Sequence, residues 1–128
     1  MTLTTRTDDE VVLFQLITSL VPAGAERLVV HLLEHIDRER FAPVCICLGN
    51  PVGSHLEARL QQLGVPLHFL GKGDTMSLEA LRKLDALFRQ YRPAVVHTHL
   101  LALNYAYPLM LRYRTPARVH TVHSLAQR

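Results

Sequence analysis

Histidines carry the most accessible chemistry in this 128-residue sequence. His97 and His99 flank Thr98, and His120 and His123 follow in the next apolar segment. An imidazole titrates near neutral pH, so each ring can move a proton, bind a hydroxyl or phosphate oxygen, or ligate a metal. On a strand, alternation places His97 and His99 on one face. His120 and His123 stand three apart and then point to opposite faces. No cysteine or carboxylate lies in the same segments to complete a tetrahedral set, so no metal site is expected. A partly buried ring bonded to backbone is the plainer reading of His97. His123 follows Val119 and Thr121 on its face and is expected at the sheet rim. There it is either a proton-handling or oxygen-binding group or an ordinary surface histidine.

A second candidate is Thr18 to Arg27 (TSLVPAGAER), where an apolar run gives way to a helical pattern. Gly24 at a helix start leaves backbone N–H groups open to an anion, with the helix dipole assisting. Neither the G-x-G-x-x-G fingerprint nor a P-loop is present, and a simple tight turn is the alternative. Arg82, Lys83, Arg89, Arg92, Arg112 and Arg114 provide basic surface, read either as a solvated helix face or as a contact for an anionic membrane. Cys45 and Cys47 stand two apart, share one strand face and make poor disulfide geometry, so buried reduced thiols are expected.

The elements that must position these groups follow from periodicity. Val11 to Ile17 (VVLFQLI) is a short, nearly continuous apolar run that predicts a strand buried on both faces. Leu28, Val29, Leu32, Leu33 and Ile36 recur at helical spacing within Ala25 to Ile36. Phe41 to Leu48 predicts a second strand, and Val65 to Leu70 a third. Between them His55 to Leu63 predicts a helix, opened by a Ser54/Glu57 capping box and closed at Gly64. Ser77 opens a further helix that ends at Pro93. Ala94 to His97 is a fourth strand, Leu100 to Arg112 a helix made irregular by Asn104 and Pro108, and Ala117 to His123 a fifth strand. Strands alternating with helices through short loops imply parallel pairing by right-handed crossovers. The expected fold is a single α/β domain over residues 11–128, an open doubly wound parallel sheet of order 3-2-1-4-5. Residues 1–10 form a flexible start. In such sheets ligands bind at the carboxyl ends of the strands. That rule selects Thr18 to Arg27, Gly49 to Ser54, His97 to His99, and His123 with Ser124.

Bulk properties narrow the function class. A hydrophobic content of 48% with 20% charged residues is ordinary for a globular protein and argues against disorder. No apolar run approaches the roughly 18 residues of a membrane span, and the polar start, with Asp8, Asp9 and Glu10, is no secretory signal. The expected location is cytoplasmic, with contact to the inner face of the membrane as an option. A net charge of +3 and a pI near 9.2 suit a protein that meets phosphates or an anionic surface, and are too modest to imply nucleic acid.

The ordered set Leu16-Ile17-Thr18-Ser19-Leu20, Gly24-Ala25-Glu26-Arg27, Asp37-Arg38-Glu39-Arg40-Phe41, Leu63-Gly64-Val65-Pro66, Arg92-Pro93-Ala94-Val95-Val96-His97-Thr98-His99 and Thr121-Val122-His123 resembles a known family. It is similar to the N-terminal domain of the family 4 retaining glycosyltransferases, which have the two-domain GT-B fold. The resemblance implies transfer of a sugar from a nucleotide diphosphate sugar to a hydroxyl acceptor in glycan or glycolipid synthesis, without a cofactor or catalytic metal. It implies that the loop at Ala23 and Gly24 lies against the donor phosphates and that His123 is the catalytic histidine of the cleft. Acceptor recognition would fall on Ser19, Glu26, Arg27 and His99. Two departures stand out: Ala23 replaces the first of two adjacent glycines, and Ser124 stands where an acidic or amide residue is common. The family's N-terminal domain continues past its fifth strand. A second Rossmann-like domain then holds most of the donor with a pair of glutamates. These 128 residues are therefore expected to be an incomplete N-terminal half, inactive alone and open to self-association as a homodimer. The alternative is a non-catalytic Rossmann-like module that docks with a partner chain.

Overall fold

The computed structural model describes residues 10–73, 75–99 and 101–121. The flexible start expected at residues 1–10 falls almost wholly outside them, as do Leu100, Val122, His123 and Ser124. Nine elements alternate: β1 (Val11–Ile17), α1 (Gly24–His35), β2 (Phe41–Cys47), α2 (His55–Gln62), β3 (Leu67–Phe69), α3 (Leu78–Tyr91), β4 (Val95–His99), α4 (Ala102–Arg112) and β5 (Ala117–Thr121). The strands form one sheet of order β3-β2-β1-β4-β5, and every neighbouring pair is parallel. This is the open doubly wound, Rossmann-like arrangement expected from the alternation of elements.

Alternation along each strand divides the apolar residues between two layers. On one face Val12, Phe14 and Leu16 of β1 join Val44, Ile46 and Val96, and are covered by Leu84 and Phe88 of α3 and Tyr105, Leu109 and Met110 of α4. On the other, Ile17, Cys45 and Cys47 meet Val29, Val30 and Leu33 of α1 and Leu56 and Leu60 of α2. Both thiols are fully buried and free. The neighbouring Cys47 sulfur and burial together push the Cys45 thiol well above the usual range, which keeps it unreactive.

Helix ends follow local chemistry. Ser77 Oγ accepts from the Ala80 amide at 3.0 Å, capping α3. That helix closes on Arg92 in the left-handed region (φ 50°), where Pro93 prevents continuation. At α2 the capping box is elaborated. Ser54 Oγ accepts from the Glu57 amide at 3.3 Å, while the buried Glu57 carboxylate accepts from Val52 N (2.7 Å) and Gly53 N (2.9 Å). The Glu57 side chain thereby ties the Val52–Gly53 part of the loop to the start of α2. Helix α4 runs through Pro108 without a break.

Some boundaries differ from expectation. Strand β3 is shorter than Val65 to Leu70, because the Val65 amide is drawn back to Leu60 O at 3.1 Å as α2 closes. Strand β4 is longer than Ala94 to His97. Thr98 and His99 pair with His120 and Thr121 of β5, a partner that no local pattern specifies.

His68, on edge strand β3, places Nε2 3.0 Å from Tyr91 Oη of α3. Burial holds this imidazole below the ordinary histidine value. The unfolded chain therefore takes up its proton at higher pH than the folded chain. The stability this group contributes is complete above the unfolded value of about 6.5 and is lost as pH falls through the lower folded value. His68→Gln should flatten the decline of Tm between pH 7 and pH 5. An unchanged slope would remove His68 from the acid response.

Candidate functional site

The carboxyl ends of the strands are tied to one another before any ligand is considered. The Leu48 amide donates to Ile17 O (2.9 Å) and the Gly49 amide to Thr18 O (3.0 Å), joining the loops after β1 and β2. The Gly71 amide donates to Gly49 O (3.1 Å) and the Lys72 amide to Leu48 O (2.8 Å), adding the loop after β3. Leu20, fully buried, pins the first loop to the core, and Val21 to Gly24 then run exposed over the edge.

Helix α1 begins at Gly24, with Ala23 as its extended N-cap (φ −146°, ψ −176°) and no side-chain cap. The first-turn amides of α1 therefore lack the internal acceptor that Ser54 and Ser77 supply to α2 and α3. Gly24 has no positive φ, and among the described residues a Cβ built there meets no atom within 4 Å outside the helix backbone and the adjoining residues. Neither backbone conformation nor packing among the described residues requires glycine at this position. Glu26, in the first turn, is 8% exposed and its Oε1 has no hydrogen-bond partner among the described residues; the same holds for buried Thr18 Oγ1. Arg27 is exposed at one end of an open groove of about 560 Å³ between α1 and α2, which His31, His55 and the Arg59–Glu34 ion pair (2.9 Å) also line.

Ser19, Ala23, Gly24, Glu26 and Arg27 are thus gathered at the β1 edge, next to the point where strand order reverses between β1 and β4. His99, at the end of β4, is fully buried. Its ring lies beneath the edge rather than on its surface, 4.2 Å from the His97 ring, with Nε2 2.8 Å from Gln15 Oε1. His97 and His99 do share a face, as alternation requires. His120 is on the other, with Nδ1 2.7 Å from Thr98 Oγ1. Among the described residues no three histidine, cysteine or carboxylate groups are arranged to hold a metal. His123, the candidate acid or base, lies outside the described residues.

Gln15 was not singled out by the sequence reading, where it is one letter in an apolar run. The signal was there: an amide in the middle of a strand predicted to be buried on both faces must find partners. The basic side chains of α3 and α4 are largely engaged locally. Arg89 pairs with Asp85 at 3.0 Å, and Arg92 and Arg112 lie over the Tyr113 ring at 5.3 and 5.5 Å. The Tyr113 hydroxyl donates to Asp85 at 2.7 Å and, with Arg112 and Arg89, holds that carboxyl below the usual range. Among the described residues no helix is long and apolar enough to cross a membrane.

An open doubly wound sheet, with an uncapped helix N-terminus beside its switch point, defines a Rossmann-like domain. The model of the family described as Glycosyltransferase Family 4 matches residues 22–128, and the chain belongs to that family. Its role is accordingly in sugar transfer. The match takes in Ala23, Gly24, Glu26, Arg27, His99 and His123, and begins after β1 and Ser19. No curated protein matches the chain.

Proposed function

We propose that this domain is the acceptor-side, N-terminal half of a GT-B glycosyltransferase that moves a sugar from a nucleotide diphosphate sugar to a hydroxyl acceptor with retention at the anomeric carbon. A second Rossmann-like domain would hold most of the donor, and closure between the two would exclude water. The observation that carries the reading is the open start of α1. Its first-turn amides lack a side-chain cap, and among the described residues no atom outside the helix backbone and the adjoining residues lies within 4 Å of a Cβ built at Gly24. Such a terminus suits a diphosphate oxygen, with the dipole of the 12-residue helix adding to the attraction. The Ala23 methyl sits on extended, exposed backbone, a geometry compatible with approach of a ligand to the Gly24 amide. Ser19 and Arg27 flank this point as acceptor contacts. Glu26 and His99 would support them from the buried layer below, and His123 is the proposed catalytic group. The work is assigned to the cytoplasmic side, with the acceptor in solution or at an anionic membrane surface.

Gly24→Ala separates the two demands on this loop. With a helical φ and no clash, it should stabilise the fold by about 0.4–1 kcal/mol through the entropy of the unfolded chain. If the donor's phosphates approach Gly24, the same methyl group should lower transfer by roughly 10-fold or more in the full-length protein. A variant that is more stable and equally active would take the donor away from this loop. Failure of the native full-length protein to turn over any nucleotide diphosphate sugar would sink the transferase reading itself.

A further inference from the structure

The buried polar groups at the switch point form one directed chain. The Gln15 amide oxygen can only accept, so His99 Nε2, 2.8 Å away, carries the proton. The Gln15 amide nitrogen can only donate, so His97 Nδ1 at 3.1 Å is an acceptor. The neutral His97 ring then has its proton on Nε2, which faces Thr121 Oγ1 of β5. Donation therefore runs from His99 to Gln15 to His97 to Thr121, crossing from β4 to β1, back to β4 and on to β5. Gln15 is 3% exposed and His99 fully buried. The two imidazoles lie 4.2 Å apart with planes tilted by 38°. Bonds in one direction polarise each other in a low-dielectric interior. Turning the amide over would reverse both bonds to Gln15 and require both rings to change tautomer together.

We propose that Gln15 is a positioning residue of the strand-end site, locking His99 and His97 into matched Nε2–H tautomers and so deciding which nitrogen of each ring is basic beneath that edge. The relevance to sugar transfer rests on the function proposed above; the tautomer lock itself does not. Gln15 is suited to this because a primary amide presents one donor and one acceptor in a fixed plane. Register supplies the rest: Gln15 pairs directly with His97 across β1 and β4, and His99 with Thr121 across β4 and β5. A carboxylate or an aliphatic side chain of similar size cannot impose opposite roles on two rings.

Long-range ¹H–¹⁵N correlation of the imidazoles in the ¹⁵N-labelled chain tests this without any assay of activity. In the native protein both rings should carry the proton on Nε2 and the lone pair on Nδ1; a proton on His97 Nδ1 overturns the proposal. Gln15→Glu replaces the donor by a second acceptor, so a proton should appear on His97 Nδ1 while His99 keeps its own on Nε2. Absence of that new proton in a folded Gln15→Glu protein whose carboxyl carbon resonance shows the ionised form also overturns it. Gln15→Leu should abolish the His99 Nε2–H signal through loss of its acceptor, and its persistence counts against the lock. The native spectrum decides the matter even if neither variant folds. A native full-length protein with the predicted spectrum and no sugar transfer would leave the lock standing and remove the function it is proposed to serve.

Discussion

His123→Ala should lower sugar transfer by the full-length protein by roughly 10²- to 10⁴-fold, the loss that follows removal of a positioned acid, base or oxygen-binding group. Through the transition-state relation this corresponds to about 2.7–5.4 kcal/mol of lost stabilisation. The prediction rests on the resemblance, which implies a catalytic histidine at position 123, and on the rule that ligands of doubly wound sheets bind beyond the carboxyl ends of the strands. It also falls within the part of the chain matched by the family model. A drop in kcat with little change in KM would identify a group acting in the transition state. A raised KM alone would make it a binding contact. Unchanged kcat and KM, with an unchanged Tm, would remove His123 from the reaction. His99 offers a contrast. Its fully buried ring makes loss of folding the main consequence of His99→Ala, so activity of that variant has to be read per folded molecule.

Phe14→Ala should cost about 3–5 kcal/mol of folding stability, a large share of the roughly 5–15 kcal/mol that holds a domain of this size. Phe14 is fully buried at the middle of the central strand β1. Its ring meets Phe88 edge-on at 5.2 Å and 82°, and Tyr91 at 5.7 Å and 79°. Both partners belong to α3, so the ring is the main aromatic contact between the sheet and the helix that crosses to its second face. Truncation leaves a cavity that the parallel sheet, held on both sides by its ladder, cannot collapse to fill. Urea unfolding checks this: the midpoint should fall with little change in slope. A loss below about 1.5 kcal/mol would mean that α3 repacks as freely as in a volume-conserving swap.

Much of the architecture was legible from local pattern. Val11 to Ile17 reads as a strand by its length and β-branched content, and Ser77 to Tyr91 as a helix by its stripe. The short connections then leave a right-handed, doubly wound order as the economical topology. The strand-end rule selects the loop at Gly24 and the pair His97 and His99 from their positions alone. Ser54 and Glu57 read as a cap because capping depends on neighbours three residues apart. Local chemistry of this range is written directly in the order of residues.

What remained hidden depended on contacts between residues far apart in the chain. His99 reads as an edge residue, but pairing with Thr121 extends β4 and carries its ring into the interior. Gln15 and His99 are separated by 84 positions, and no periodicity relates them. Register alone brings the amide between the two imidazoles. The same holds for Asp85 and Tyr113, joined across α3 and α4. The sequence by itself determined the elements and their order in the sheet, because these follow from interactions within a few residues. Only the tertiary structure decided which polar groups at the carboxyl edge of the sheet are exposed and which are locked beneath it. Burial and hydrogen-bond direction are properties of packed neighbours, set when the strands come into register.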